Sequence, residues 1–151
     1  MSEVNVFSVD VQWDDDAREG YRAGSARTGP LLGAEQLGLS VYELPPGNSV
    51  CPYHYEPGFD EWLIVLVGTP TLRTPDGEQD LRPWDAVFFP PGEAGAHKVT
   101  NRSEEVVRAA LVSTKLPIGT VVYPDSNTIG VWPPGKHFKL DTAVELDDAE
   151  P

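Results

Sequence analysis

Glycine or proline interrupts this chain every few residues. Fourteen glycines and fifteen prolines are spread over 151 positions. A helix interior tolerates neither well. Proline removes a backbone hydrogen bond and clashes with the preceding turn, and glycine costs about 1 kcal/mol relative to alanine. Long helices are excluded over most of the length, and short strands joined by tight turns are favoured. Apolar and alternating segments predict strands over 37–44, 49–56, 61–67, 71–74, 86–90, 96–101 and 106–114. The breaks between them carry turn chemistry: Pro45-Pro46-Gly47-Asn48, Pro57-Gly58 and Pro75-Asp76-Gly77. Many short strands at intervals of about ten residues predict an all-β sandwich or jelly-roll barrel.

One domain is expected, with residues 1–35 as an N-terminal arm, 36–115 as the barrel core and 116–151 as a C-terminal extension of the same domain. Val4, Val6, Val9 and Val11 predict an early strand, and 20–33 an extended arm. Val121 to Tyr123 predicts a late strand followed by a turn, and the acidic end, 145–151, is expected to fray.

Twenty-four acidic against eleven basic residues give a net charge of −13. Phosphate backbones and anionic membranes both require clustered lysine and arginine, so neither nucleic acid nor a membrane surface is an expected partner. The single cysteine, Cys51, excludes an intramolecular disulfide and fits a reducing compartment. No basic start with an apolar stretch marks a leader, and the longest strictly apolar run, Trp62 to Val67, is far short of a membrane span. A soluble, cytoplasmic protein is expected.

Four residues carry chemistry: His54, Glu56, Glu61 and His97. Two imidazoles and two carboxylates suit a divalent metal, and His54, Glu61 and His97 have the composition of a two-histidine, one-carboxylate triad. If the strands on either side of Pro57-Gly58 pair, strand parity lets His54, Glu56 and Glu61 enter one cavity. Alternate residues share a face, so Pro52, His54 and Glu56 point one way, and Glu61, Leu63, Val65 and Val67 share a face opposite Trp62, Ile64 and Leu66. His97, Val99 and Asn101 form a third row. Burying two carboxylates without a cation would be costly, because like charges raise each other's pKa.

These residues and their spacing resemble a known family. The stretch from Gly47 to Gly68, with His54, Glu56 and Glu61, resembles the first cupin motif. Pro90-x-Gly92 followed by His97 and Asn101 resembles the second, and Tyr123-Pro124-Asp125-Ser126 matches a segment found in small single-domain cupins of largely unassigned function. The resemblance implies a double-stranded β-helix barrel. It also implies that His54, Glu61 and His97 ligate iron, manganese, nickel or zinc, with Glu56 as a fourth ligand or as the catalytic base. Three departures stand out: Glu56 replaces the usual second histidine, the first motif has one extra residue before His54, and Trp84 replaces the glycine that opens the second. The function implied is a small-molecule enzyme of dioxygenase, isomerase, cyclase or lyase type. The alternative is a non-catalytic cupin that binds or senses a small ligand.

The remaining candidates have plainer readings. Cys51, opposite in parity to His54, is expected as a small packed residue. His137 lies outside both motifs and is expected to be structural or exposed. Tyr53, Tyr55 and Trp62 are expected in the core or an interface, and Arg73 and Arg108 at the surface. The apolar face formed by Trp62, Ile64 and Leu66 requires a cover, and together with the resemblance it predicts a homodimer.

Overall fold

A computed structural model describes residues 2–144; the acidic end, 145–151, lies outside the described residues. Twelve strands form three sheets: β1 (Gln12–Trp13), β2 (Gly24–Arg27), β3 (Leu37–Leu44), β4 (Glu61–Val67), β5 (Thr71–Thr74), β6 (Gly77–Asp80), β7 (Ala86–Phe89), β8 (Lys98–Thr100), β9 (Val107–Thr114), β10 (Gly119–Tyr123), β11 (Thr128–Trp132) and β12 (Lys136–Lys139). The largest sheet has the order β1-β2-β3-β9-β4-β7, and a smaller one the order β6-β5-β8. The third, β10-β11-β12, is a meander. All pairings are antiparallel. Among the described residues, helix is confined to a single turn at Gly29–Leu32 and three short 3₁₀ turns.

The first two sheets enclose the core. Leu44, Leu63, Val65, Leu72, Val99 and Val107 are buried together. Fully burying each such side chain stabilises the fold by about 1.5–3 kcal/mol. Parity places Glu61 above Leu63 and Val65 on one face of β4, so the barrel is aliphatic at one end and polar at the other. The predicted alternation fails at the end of β4. A bulge between Val65 and Val67 turns Val67 outward, where it is exposed. A bulge adds one residue to one strand, so every side chain beyond it changes face.

The N-terminal region differs from expectation. No strand forms at Val4–Val11. Backbone amides of Ser8 and Val9 both donate to Asn5 O, closing a turn. Val6 and Val9 instead cover Val41, Leu66, Ala110 and Ile64 on the outer face of the large sheet. Arg108, expected at the surface, is buried. Its guanidinium pairs with Glu43 and donates to the carbonyls of Val6 and Val9, at 2.9 and 2.6 Å, pinning this segment down. Within 20–33, β2 joins the large sheet alongside β3. Residues 49–56 do not form the predicted strand; they meet their neighbours through isolated bridges at Ser49, His54 and Tyr55 and through single backbone hydrogen bonds such as Val50 N to Val99 O.

Trp84 keeps the backbone conformation of the glycine it replaces, with φ 76°. The turn is held from several sides: Trp84 N donates to Val65 O at 2.8 Å, Asp85 N to Arg82 O at 3.0 Å, and Arg82 N to Asp85 Oδ2 at 2.7 Å. A left-handed conformation costs an L-residue about 1–2 kcal/mol. The ring is 68% exposed and touches Phe7, with centroids 5.4 Å apart. Trp84→Gly is therefore expected to raise the unfolding free energy by about 0.5–1 kcal/mol, after allowing for glycine's greater freedom in the unfolded chain. Trp84→Ala keeps the strained φ and loses the ring contact, so it should not. Urea midpoints of the two variants measure the difference, and equal midpoints would contradict the assignment of strain.

Candidate metal centre

His54 and His97 face each other because their backbones pair. His54 N donates to His97 O at 3.0 Å, and His97 N to His54 O at 2.8 Å. Glu61 opens β4, where its backbone lies between Phe89 and Ser113. His97 follows a 3₁₀ turn at Glu93–Gly95, and its ring stacks on Phe89 with centroids 3.7 Å apart. Gly95 is required there, since a Cβ would collide with the Pro90 carbonyl. Gly92 N donates to Glu56 O at 3.0 Å, joining the two loops that carry the site.

The donor atoms of His54, Glu61 and His97 lie within 4.8 Å of one another, and all three residues are buried. Nδ1 of each ring sits 2.9 Å from a backbone carbonyl, that of Pro52 for His54 and that of Gly95 for His97. A carbonyl only accepts, so Nδ1 carries a proton in both rings, which leaves Nε2 as the atom available to a metal. Burial, with His97 adding to it, pushes His54 down to about 4, so this imidazole is neutral at physiological pH. Nε2 of His97 lies 3.3 Å from Glu61 Oε2. That oxygen is the one buried side-chain polar atom among the described residues with no hydrogen-bond partner. A buried carboxylate oxygen thus stands unsatisfied beside an imidazole nitrogen, an arrangement that a cation between them would relieve. Two imidazoles and a carboxylate fit a divalent first-row ion.

Glu56 lines the same cavity, of about 420 Å³, but lies outside the converging group. Burial pushes its carboxyl up to about 7; Glu61 adds to the shift and His97 opposes it. Cys51 also lines this cavity, with Sγ 3.1 Å from His54 Nδ1. Parity had set it on the far side, but 50–53 is a bend and parity applies only along a strand. Burial pushes the Cys51 thiol up, and Glu61 and Glu56 push it the same way, so it remains a thiol rather than a nucleophile.

Other expectations fall as follows. His137 is exposed on β12, edge-on to Trp132 and near Tyr123. Arg73 forms a bidentate pair with Asp125, at 2.7 and 2.9 Å, and lies 3.9 Å above the Tyr53 ring. Tyr55 pairs through its backbone with Val122, and Trp62 is exposed on the outer face. Two cavity residues had no sequence signal, Arg27 on β2 and Tyr42 on β3. Ala26 packs outward, so Arg27 turns inward. Strand pairing with β3 would have placed it, but Gly-Ser-Ala-Arg shows no apolar alternation to mark a strand. Val121, Tyr123 and Trp132 of the meander close the cavity from above the barrel. No helix among the described residues is long and apolar enough to cross a membrane.

Residues 40–113 match the cupin domain, and with the barrel and its site in place the chain belongs to the cupin superfamily. A sugar phosphate isomerase of that superfamily from Silicibacter pomeroyi has a similar structure, with a TM-score of 0.82 at 23% identity, covering 97% of this chain and 98% of that one. The polyketide cyclase RemF from Streptomyces resistomycificus is also similar, with a TM-score of 0.61 at 24% identity over 76% of this chain and 79% of that one. A search of curated proteins finds no match.

Proposed function

We propose that this cupin is a metal-dependent enzyme that moves a proton on a small organic substrate, in an isomerase or cyclase type of reaction. His54, Glu61 and His97 hold the metal, and Glu56 is the general base. The observation that carries this reading is the state of Glu56: a carboxyl inside the cavity, outside the converging donors, with proton affinity brought up to about 7. A base works best when its pKa lies near the working pH. A divalent ion in the site would polarise a substrate carbonyl and acidify the neighbouring carbon. Glu56 would then take that proton and return it one position away. Tyr42, Val121 and Trp132 would exclude water from the exchange. The likeness of fold to a sugar phosphate isomerase and a polyketide cyclase supports the same class.

The test is a screen of the protein loaded in turn with iron, manganese, nickel and zinc, against small carbonyl compounds, phenols and acids in deuterated water. Deuterium uptake at a substrate carbon is the expected result. Oxygen consumption without proton exchange would point to dioxygenase chemistry and sink the proposal. Thermal shifts without any chemical change would favour a binding module.

We further propose a homodimer. The N-terminal segment covers Ile64 and Leu66, which narrows the expected interface to Trp62 and Phe88. These two are paired in register on β4 and β7, with rings 5.1 Å apart and both exposed. Light scattering should give a dimer mass for the native chain and a monomer mass for Trp62→Glu, Phe88→Glu. A native monomer at micromolar concentration would contradict it.

A further inference from the structure

A second cleft, of about 660 Å³, lies beside the metal cavity and shares Val50, Cys51 and Tyr123 with it as wall. It is bounded by residues of the 14–21 segment, the 50–53 bend and the β10-β11-β12 meander. Two cations face into it. Lys98, on β8, is half-buried, with Nζ 3.4 Å from the Tyr21 hydroxyl. Arg18 holds its guanidinium 4.0 Å above the same tyrosine ring. Among the described residues, neither forms an ion pair.

That is unexpected in a chain with carboxylates in more than twofold excess over cations. Neither acidic residue of the cleft forms an ion pair with these cations. Asp125 is held by Arg73, and Asp14 accepts a hydrogen bond from the Asp16 amide at 3.2 Å. A half-buried ammonium with no direct ion pair loses hydration, and Asp125, already bound to Arg73, gives it only partial Coulombic compensation. Arg18, exposed at the cleft's rim, adds a second positive charge beside the same ring. An oxyanion in the cleft would supply the missing counter-charge, and charge-assisted contacts of that kind are about twice as strong as neutral ones. The overall charge repels anions elsewhere on the surface, so a local positive pair also concentrates them here.

We propose that this cleft is an anion subsite, in which Lys98 and Arg18 hold the phosphate or carboxylate tail of a substrate whose reacting end lies among His54, Glu56, Glu61 and His97. The shared wall puts the two ends of one small molecule within reach of both sites. The assignment of the tail to a substrate rests on the function proposed above; anion binding by the cleft does not.

The test uses the full-length, metal-free protein, so that an anion cannot report by binding metal. Inorganic phosphate and succinate are titrated separately at constant ionic strength, with thermal unfolding as the readout. The expected result is saturable protection by one of them, and the stronger arm identifies the tail. Lys98→Met and Arg18→Gln should each weaken the apparent affinity about tenfold, as expected for loss of one charge-assisted contact. Lys98→Arg should retain it, which guards against a folding defect. Arg27→Gln, in the neighbouring cavity, should bind as the native chain does. Absence of protection by both anions overturns the proposal. Protection that survives the Lys98→Met, Arg18→Gln double change also overturns it, as does protection lost in Arg27→Gln. Turnover that persists in Glu56→Gln would defeat the proposed base while leaving the anion response intact, so the two failures are distinguishable.

Discussion

Protein carrying both His54→Ala and His97→Ala is expected to purify without metal, while the native chain carries about one divalent ion per molecule. Structural sites with four ligands are worth about 10–16 kcal/mol, so each donor carries roughly 3 kcal/mol. Removing two should therefore cost roughly 6 kcal/mol, or about 10⁴-fold in affinity. The native chain should also gain thermal stability on addition of metal, because an ion that binds only the folded state shifts unfolding by mass action. The double variant should show no such gain. Elemental analysis and thermal scans with and without added ion read both effects, and far-UV circular dichroism checks that the barrel is retained. Equal metal content in the two proteins would refute the assignment of His54, Glu61 and His97 as ligands.

Glu56→Gln should separate metal binding from chemistry. Metal content is expected to hold, while turnover falls by about 10²–10⁴, the usual contribution of a positioned general base. The loss should appear in kcat rather than KM. The same variant carries a pH signature in the metal-free protein. The folded-state pKa of Glu56 is raised, to about 7 from an ordinary value of 4.5. The folded state therefore holds a proton that the unfolded state has released between those values. The stability this group contributes is fully present below about pH 4.5 and is lost as the pH rises through about 7, to a total of about 3 kcal/mol. Glu56→Gln removes that loss. The variant should gain on the native chain between about pH 4.5 and 7 and then run parallel to it. His54, whose pKa is lowered, acts in the opposite sense, with stability lost as the pH falls through about 4. It is common to both proteins and cancels in the comparison. Parallel stability curves across the whole range would show that Glu56 is not a buried, protonated acid.

The sequence was most legible where residues obey strand parity. Glu61, Leu63 and Val65 turn inward as alternation requires, and the hairpin at Pro75-Asp76-Gly77 joins β5 to β6. Parity also failed in identifiable places. It misplaced Val67 because one extra residue in the ladder is invisible in a hydrophobic pattern. It misplaced Cys51 because the stretch before His54 bends instead of extending. Strands β6 and β12 are exposed along their whole length, so they bury no apolar face that could mark them in sequence. Arg27 shares that origin: a four-residue strand of small residues is set by its partner, not by its own pattern. The metal-site candidates were easier, because histidine and glutamate at fixed offsets from turn glycines form a local signature. The cation cleft has none, since Arg18 and Lys98 meet only through the folding of distant segments.

The meander above the barrel separates two kinds of change. Every residue of the converging metal group comes from positions 54–97, whereas Val121, Tyr123 and Trp132, which shape the cavity roof, come from the last third of the chain. The roof is fastened by only a few points, chiefly the Arg73–Asp125 pair and the Tyr55–Val122 bridge. Mutations there can reshape the chamber without touching the converging side chains beneath it. Such a layout allows one chemistry to be inherited while the choice of molecule drifts, and it marks residues 119–139 as the stretch to exchange when a new preference is to be engineered.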